Sequence, residues 1–229
     1  MIIALNHKCN ITKDEYTDYI DKISNITTNH KLIVCPSFTN ISLTPSNITL
    51  GAQNVSSTGE GAYTGEVSAK QLSSYNVKYT IVGHSERRIK ESLEEVNDKV
   101  IELFNNNITP ILCIGETAEE RKDRRVETVL EKELLSVIEN LSQDQQEKLI
   151  VAYEPIWSIG TGMIPTNEEI IEVIKYIKSF LPNSKILYGG SVNEENVDIL
   201  KQIEEIDGYL IGGLSLKPDK LQVLLDKIS

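Results

Sequence analysis

Leu149-Ile150-Val151-Ala152-Tyr153-Glu154-Pro155-Ile156-Trp157-Ser158-Ile159-Gly160-Thr161-Gly162 is the stretch whose reading decides the fold. Its opening run of small apolar residues is that of a buried strand. The run ends on a lone carboxylate, Glu154, and Pro155 keeps a helix from starting behind it. A glycine-bearing stretch follows that can move. A carboxylate at the end of a buried strand, beneath a mobile flap, is a way to hold a general base out of water. Read alone, an acidic residue in an ordinary strand-to-helix turn would explain the same letters. The decision comes from repetition.

The same pattern recurs along the chain. Ile2-Ile3-Ala4-Leu5 runs into Asn6-His7-Lys8, and Tyr79-Thr80-Ile81-Val82 runs into Gly83-His84-Ser85-Glu86-Arg87-Arg88. Lys185-Ile186-Leu187-Tyr188 leads to Gly189-Gly190-Ser191-Val192, and Gly208-Tyr209-Leu210-Ile211 to Gly212-Gly213. Strands are predicted over 2–6, 32–35, 48–52, 78–83, 110–114, 149–153, 185–189 and 207–212. Helices are predicted over 13–24, 39–44, 68–75, 92–106, 117–140, 167–181, 193–202 and 217–228, with a helical turn near 142–148. Thr166-Asn167-Glu168-Glu169 puts a cap before an acidic first turn, and Ile170, Ile171, Val173, Ile174 and Ile177 then repeat with helical period.

Strands alternating with helices indicate parallel βαβ units. Eight such units span residues 1–229 with no Pro/Ser-rich linker, so the expected fold is α/β, a single (β/α)8 barrel domain with its reactive groups at the C-terminal strand ends. An open doubly wound sheet would favour Gly-x-Gly-x-x-Gly after the first strand. That place holds Asn6-His7-Lys8.

The formal net charge of −11 argues against a nucleic-acid surface, and an anionic substrate must be caught by local fields. No apolar run approaches the roughly 20 residues that span a bilayer. Cys9, Cys35 and Cys113 have no metal-binding spacing and read as reduced thiols of a cytoplasmic protein. His7, His30 and His84 are too scattered to suggest a metal site, and Glu127, Glu131 and Glu133 read as a solvated helix face. No metal or organic cofactor is expected.

Eight ordered motifs make the chain resemble the triosephosphate isomerases over essentially its whole length. They are Asn6-x-Lys8, Gly51-Ala52-Gln53-Asn54, Gly61-Ala62-Tyr63-Thr64-Gly65-Glu66, Gly83-His84-Ser85-Glu86-Arg87-Arg88, Cys113-Ile114-Gly115-Glu116, the 153–162 run, Tyr188-Gly189-Gly190-Ser191-Val192 and Gly212-Gly213. The resemblance implies a TIM barrel that interconverts dihydroxyacetone phosphate and D-glyceraldehyde 3-phosphate in glycolysis and gluconeogenesis. It implies Glu154 as base and His84 as a neutral electrophile, this family being itself the standing example of that pairing. Lys8 then supplies positive charge to the oxyanion and the phosphate, Asn6 lies beside it, and Glu86 stands behind Lys8. Arg87 is expected to brace interface loops.

Strand alternation puts Asn6 and Lys8 on one face and His7 on the other, toward the helices. His7 departs from the Trp usual in the family. The phosphate is expected to meet main-chain N–H groups at Gly212, Gly213, Ser191 and, when the flap is shut, Gly160. The flap is expected over 156–164, with Met163-Ile164-Pro165 departing from the family's second hinge. Leu214 stands where the family usually has Ala.

The long aperiodic stretch 54–67 matches the family's dimer loop. A homodimer is therefore expected, with residues 61–66 inserted beside the partner's Asn6-His7-Lys8 segment. Two other readings stay open at this point. One is a different barrel enzyme on a phosphorylated sugar or indole compound, sharing the Gly-Gly turn but not the Glu154 flap. The other is a non-catalytic phosphosugar-binding or protein-binding barrel, which the joint presence of Glu154, His84 and Lys8 disfavours.

Overall fold

The computed structural model describes residues 1–161 and 163–229; Gly162, the last residue of the opening stretch, lies outside them. Among the described residues eight parallel strands close into a barrel in chain order. They are β1 (Ile2–Asn6), β2 (Lys31–Cys35), β3 (Thr49–Ala52), β4 (Tyr79–Val82), β5 (Thr109–Ile114), β6 (Ile150–Tyr153), β7 (Lys185–Tyr188) and β8 (Gly208–Ile211). Closure comes from β8 pairing back on β1, with Ala4 opposite Leu210.

The period of two along each strand divides the core into two layers. Ala4, Ile33, Ile81, Ile111, Cys113, Ala152, Leu187 and Leu210 fill the barrel interior. Their neighbours Leu5, Val34, Val82, Leu112, Val151, Tyr188 and Tyr209 point outward and pack beneath the helices. The outer layer begins with α1 (Lys13–Ser24) after β1 and a 3-10 segment, Phe38–Leu43, after β2. It continues with α2 (Ala69–Ser74) after β3, then α3 (Ser85–Arg88) and α4 (Leu93–Asn105) after β4. After β5 come α5 (Ala118–Lys122), α6 (Val126–Ile138) and α7 (Gln143–Lys148). The last three connections carry α8 (Asn167–Phe180), α9 (Val197–Leu200) and α10 (Pro218–Lys227).

Local chemistry sets the helix starts. Thr166 accepts the Glu169 N–H at 3.3 Å while Glu169 accepts the Thr166 N–H at 2.8 Å, so the expected cap is a reciprocal one. Two predicted helices are shorter than their periodicity suggests. The 117–140 segment breaks between α5 and α6 because Arg124 takes a left-handed φ of 57°. The Arg125 N–H then bonds back to Glu120 O at 2.9 Å, a helix-terminating motif that a glycine would normally mark. In the 193–202 segment only Val197–Leu200 is α-helical. The Asn193 side-chain oxygen takes the N–H groups of Glu195 and Asn196, holding the preceding residues in a turn.

Candidate active site

The C-terminal strand ends bound a cleft of about 370 Å³. Asn6, Lys8, His84 and Glu154 line it together with Ser191, Gly212 and Gly213, and Lys8 lies beside Gly212. Ile159 and Gly160 of the flap line it too. Every predicted site residue except Glu86 therefore borders one cleft, and Glu86 touches it through Lys8.

Glu154 continues the inward face of β6 beyond Ala152 and is buried. One carboxylate oxygen, Oε1, lies 3.0 Å from His84 Nε2. The other, Oε2, accepts the Ser85 N–H at 3.2 Å. Burial works to raise the Glu154 pKa, yet the His84 ring, the Ser85 N–H and the Arg88 guanidinium outweigh it and hold the carboxyl below its ordinary value.

His84 reaches the cleft only because of the glycine before it. Along β4, Ile81 faces inward and Val82 outward, so simple alternation would send residue 84 toward the helices. Gly83 has φ 66°, which turns the chain and aims the imidazole into the barrel mouth. His84 then caps α3, its Nδ1 accepting the Glu86 N–H at 3.2 Å. That bond leaves the ring proton for Nε2, the nitrogen facing Glu154.

Asn6 faces the cleft as the last residue of β1 and is buried. Lys8 reaches the same cleft by another route than strand alternation. The strand has ended, Lys8 has φ 52°, and its N–H donates to Asn6 Oδ1 at 3.0 Å. Gln53 fixes this turn by donating to Lys8 O at 2.9 Å and Cys35 O at 3.0 Å. The Lys8 ammonium pairs with Glu86 at 2.7 Å. Asn6, Lys8, His84 and Glu86 thus form one hydrogen-bonded arc.

His7 does face the helix layer. Its ring meets Tyr19 edge-on at 4.5 Å, and neither ring nitrogen has a hydrogen-bond partner among the described residues. Burial drives its pKa down to about 4.

Within the cleft lining Gly212 precedes a 3-10 turn, Gly213–Leu216. The Ser191 hydroxyl donates to Ser158 O at 2.6 Å, joining the β7 loop to the base of the flap. The first flap residues, Ile156–Ser158, form a 3-10 turn of their own. No role was assigned from sequence to Glu116, yet it anchors this hinge. Fully buried, it accepts from Trp157 Nε1 at 2.8 Å, Tyr153 OH at 3.1 Å and Arg121 Nη1 at 3.1 Å. Its sequence signal was position alone, an acid just past a strand end like Glu154.

One other expectation needs correction. Glu133 is not on a solvated face: its side chain is 12% exposed and ion-paired with Arg88. Arg87 pairs with Glu91, which pairs in turn with Lys99, a donor to Asn54 in the loop after β3. Among the described residues no cluster of three His, Cys, Asp or Glu could hold a metal ion, and no helix is long and apolar enough to cross a membrane.

A closed barrel whose buried carboxylate, imidazole and ammonium converge at the strand C-termini defines the chain as a (β/α)8-barrel enzyme. The family model described as triosephosphate isomerase matches residues 1–228. The triosephosphate isomerase of Mycoplasmopsis pulmonis is 40% identical, the match covering 98% of this chain and 96% of that protein. Those of Clostridium botulinum (strain Langeland) and Alkaliphilus oremlandii are 39% and 40% identical, over 98% and 96% of this chain and the same shares of their own. The chain belongs to the triosephosphate isomerase family.

Proposed function

We propose that this chain interconverts dihydroxyacetone phosphate and D-glyceraldehyde 3-phosphate by proton transfer through an enediolate. The observation that carries this reading is the buried Glu154 carboxylate facing the His84 imidazole in a cleft that Gly212 and Gly213 also line. In the forward direction Glu154 removes a proton from C1 of the ketone, and the C–H electron pair becomes the C1–C2 double bond. The carbonyl π electrons move to the C2 oxygen, where the His84 Nε2–H and the Lys8 ammonium stabilise the charge. Proton exchange between the two oxygens through His84, and return of the Glu154 proton to C2, then give the aldehyde.

One carboxylate serves both carbons because they are adjacent. Glu86 holds the Lys8 ammonium at the oxyanion, and Asn6 holds the Lys8 turn. Main-chain N–H groups of Gly212 and Gly213, with Ser191, bind the phosphate, and Gly160 joins them when the flap closes. Closure excludes water, which matters because an exposed enediolate phosphate eliminates its phosphate.

The proposal includes a cytoplasmic homodimer. The three free thiols support a reducing compartment. The loop between β3 and α2 supports the dimer. It is pinned at its base by Ser56 N–H to Val67 O at 2.8 Å, and Tyr63 projects half-exposed from its tip. A coupled assay with D-glyceraldehyde 3-phosphate tests the activity. Turnover lost in Glu154→Gln is the expected result, and a wild-type protein without turnover would reject the reading.

A further inference from the structure

We infer that Glu133 is a positioning residue for the Glu154–His84 pair, acting from the helix layer by locking the Arg88 guanidinium across the ends of β4 and β5. The inference rests on the function proposed above and extends it to residues that do not line the cleft.

The contacts form one connected clamp. One Glu133 oxygen pairs closely with Arg88 Nη1, and the other accepts the Gly115 N–H at 2.9 Å. Arg88 spreads its remaining donors over three main-chain carbonyls. Nε donates to Gly83 O at 2.8 Å, Nη1 to Gly115 O at 3.0 Å and Nη2 to Cys113 O at 2.5 Å. A planar guanidinium can hold these oxygens in a fixed relation, whereas a single ammonium cannot.

The clamped carbonyls lie in a segment that carries a site residue or in one that packs against it. Gly83 immediately precedes His84 and makes the turn that aims the ring. Gly115 lies so close to the Glu154 main chain that a Cβ on it would come within 1.8 Å of Glu154 O. The Glu154 N–H itself donates to Ile114 O at 2.7 Å. A shift of the clamp therefore moves the base and the imidazole relative to each other.

Burial pushes Glu133 up to about 7, against the pull of Arg88 and the Gly115 N–H, with Glu120 adding to the rise. Removing either partner of this pair would leave the other uncompensated, so folding holds the two together. What the charge contributes is a counter-ion that fixes the guanidinium in one orientation.

The test measures kcat, KM and thermal unfolding for Glu133→Gln with D-glyceraldehyde 3-phosphate. Glutamine keeps an acceptor for Gly115 but cannot neutralise Arg88. The expected result is a kcat lower by roughly 10-fold, since small misplacements of reacting groups cost that much or more, with KM within about twofold. Arg88→Lys, which keeps the ion pair but loses the fork, should show the same kcat-selective loss and decides the matter should Glu133→Gln not fold. An active wild-type protein whose folded variants keep wild-type kcat, or lose only KM, would overturn this inference alone. A wild-type protein without turnover would overturn the proposed function, and this inference with it.

Discussion

Glu154 Oε1 sits 3.0 Å from His84 Nε2, so the base and the electrophile touch each other with no room for a substrate carbonyl between them. The second oxygen is tied to the Ser85 N–H. Under the proposed mechanism Glu154 leaves both partners when it takes a proton from carbon. The first turn of the flap starts two residues later, at Ile156.

Glu154→Gln should fold and lower kcat by about 10²–10⁴-fold, the range for a lost general base. Amide and carboxylate have nearly the same shape, so the contact to the Ser85 N–H can persist. Steady-state kinetics checks this, and near-wild-type turnover would remove Glu154 from the role of base.

The Glu154 carboxyl should titrate below its ordinary value of 4.5 in the ligand-free protein, because the His84 ring and the Ser85 N–H together outweigh its burial. The sign follows for stability. A depressed folded pKa contributes stability above the unfolded value, and that contribution is lost as pH falls through the folded one. Once the carboxylate leaves those partners for the substrate, burial remains and its pKa should rise toward working pH. Carbon NMR titration of the side-chain carboxyl checks the ligand-free value; a midpoint above 4.5 contradicts it.

The His84 ring should carry its proton on Nε2, because Nδ1 accepts the Glu86 N–H at 3.2 Å. Nitrogen NMR of the ring distinguishes the tautomers directly. A proton found on Nδ1 would mean that the α3 cap is not formed as described.

His7 should make the fold acid-sensitive. Burial lowers its pKa from 6.5 to about 4, so the unfolded chain binds a proton there more tightly than the folded one. Its contribution to stability is complete above 6.5 and is lost as pH falls from there through about 4. The full loss amounts to roughly 3 kcal/mol. Urea unfolding at a series of pH values should show it, and His7→Phe, which keeps the ring against Tyr19, should flatten the dependence between those limits. An unchanged slope in the variant would assign the acid sensitivity elsewhere.

Sedimentation at assay concentration should give twice the chain mass. Deleting the tip around Tyr63 and Thr64 should yield monomers with reduced kcat, since Lys8 and His84 would lose a supporting loop. A fully active monomer would refute both the dimer and that support.

The sequence by itself determined the barrel and most of its mouth, because both follow from periodicities that act locally. Alternation of apolar residues along each strand put Asn6 inward and His7 outward, and Thr166 and Glu169 announced a helix start through contacts three residues apart. Where the backbone leaves regular geometry, that reading failed. Lys8 and Arg124 take left-handed φ values without being glycine, and the 193–202 helix gives way to an Asn193 turn. His84 enters the cleft against alternation because Gly83 turns the chain. Tertiary structure alone decided the partners. Glu116 meets Trp157 and Glu133 meets Arg88 across separations of 41 and 45 residues. Both carboxylates are shielded from water by neighbours that closure of the barrel delivers. No local pattern encodes which acid will find which cation once eight strand ends converge, so Glu133, read as solvated, is largely shielded and ion-paired.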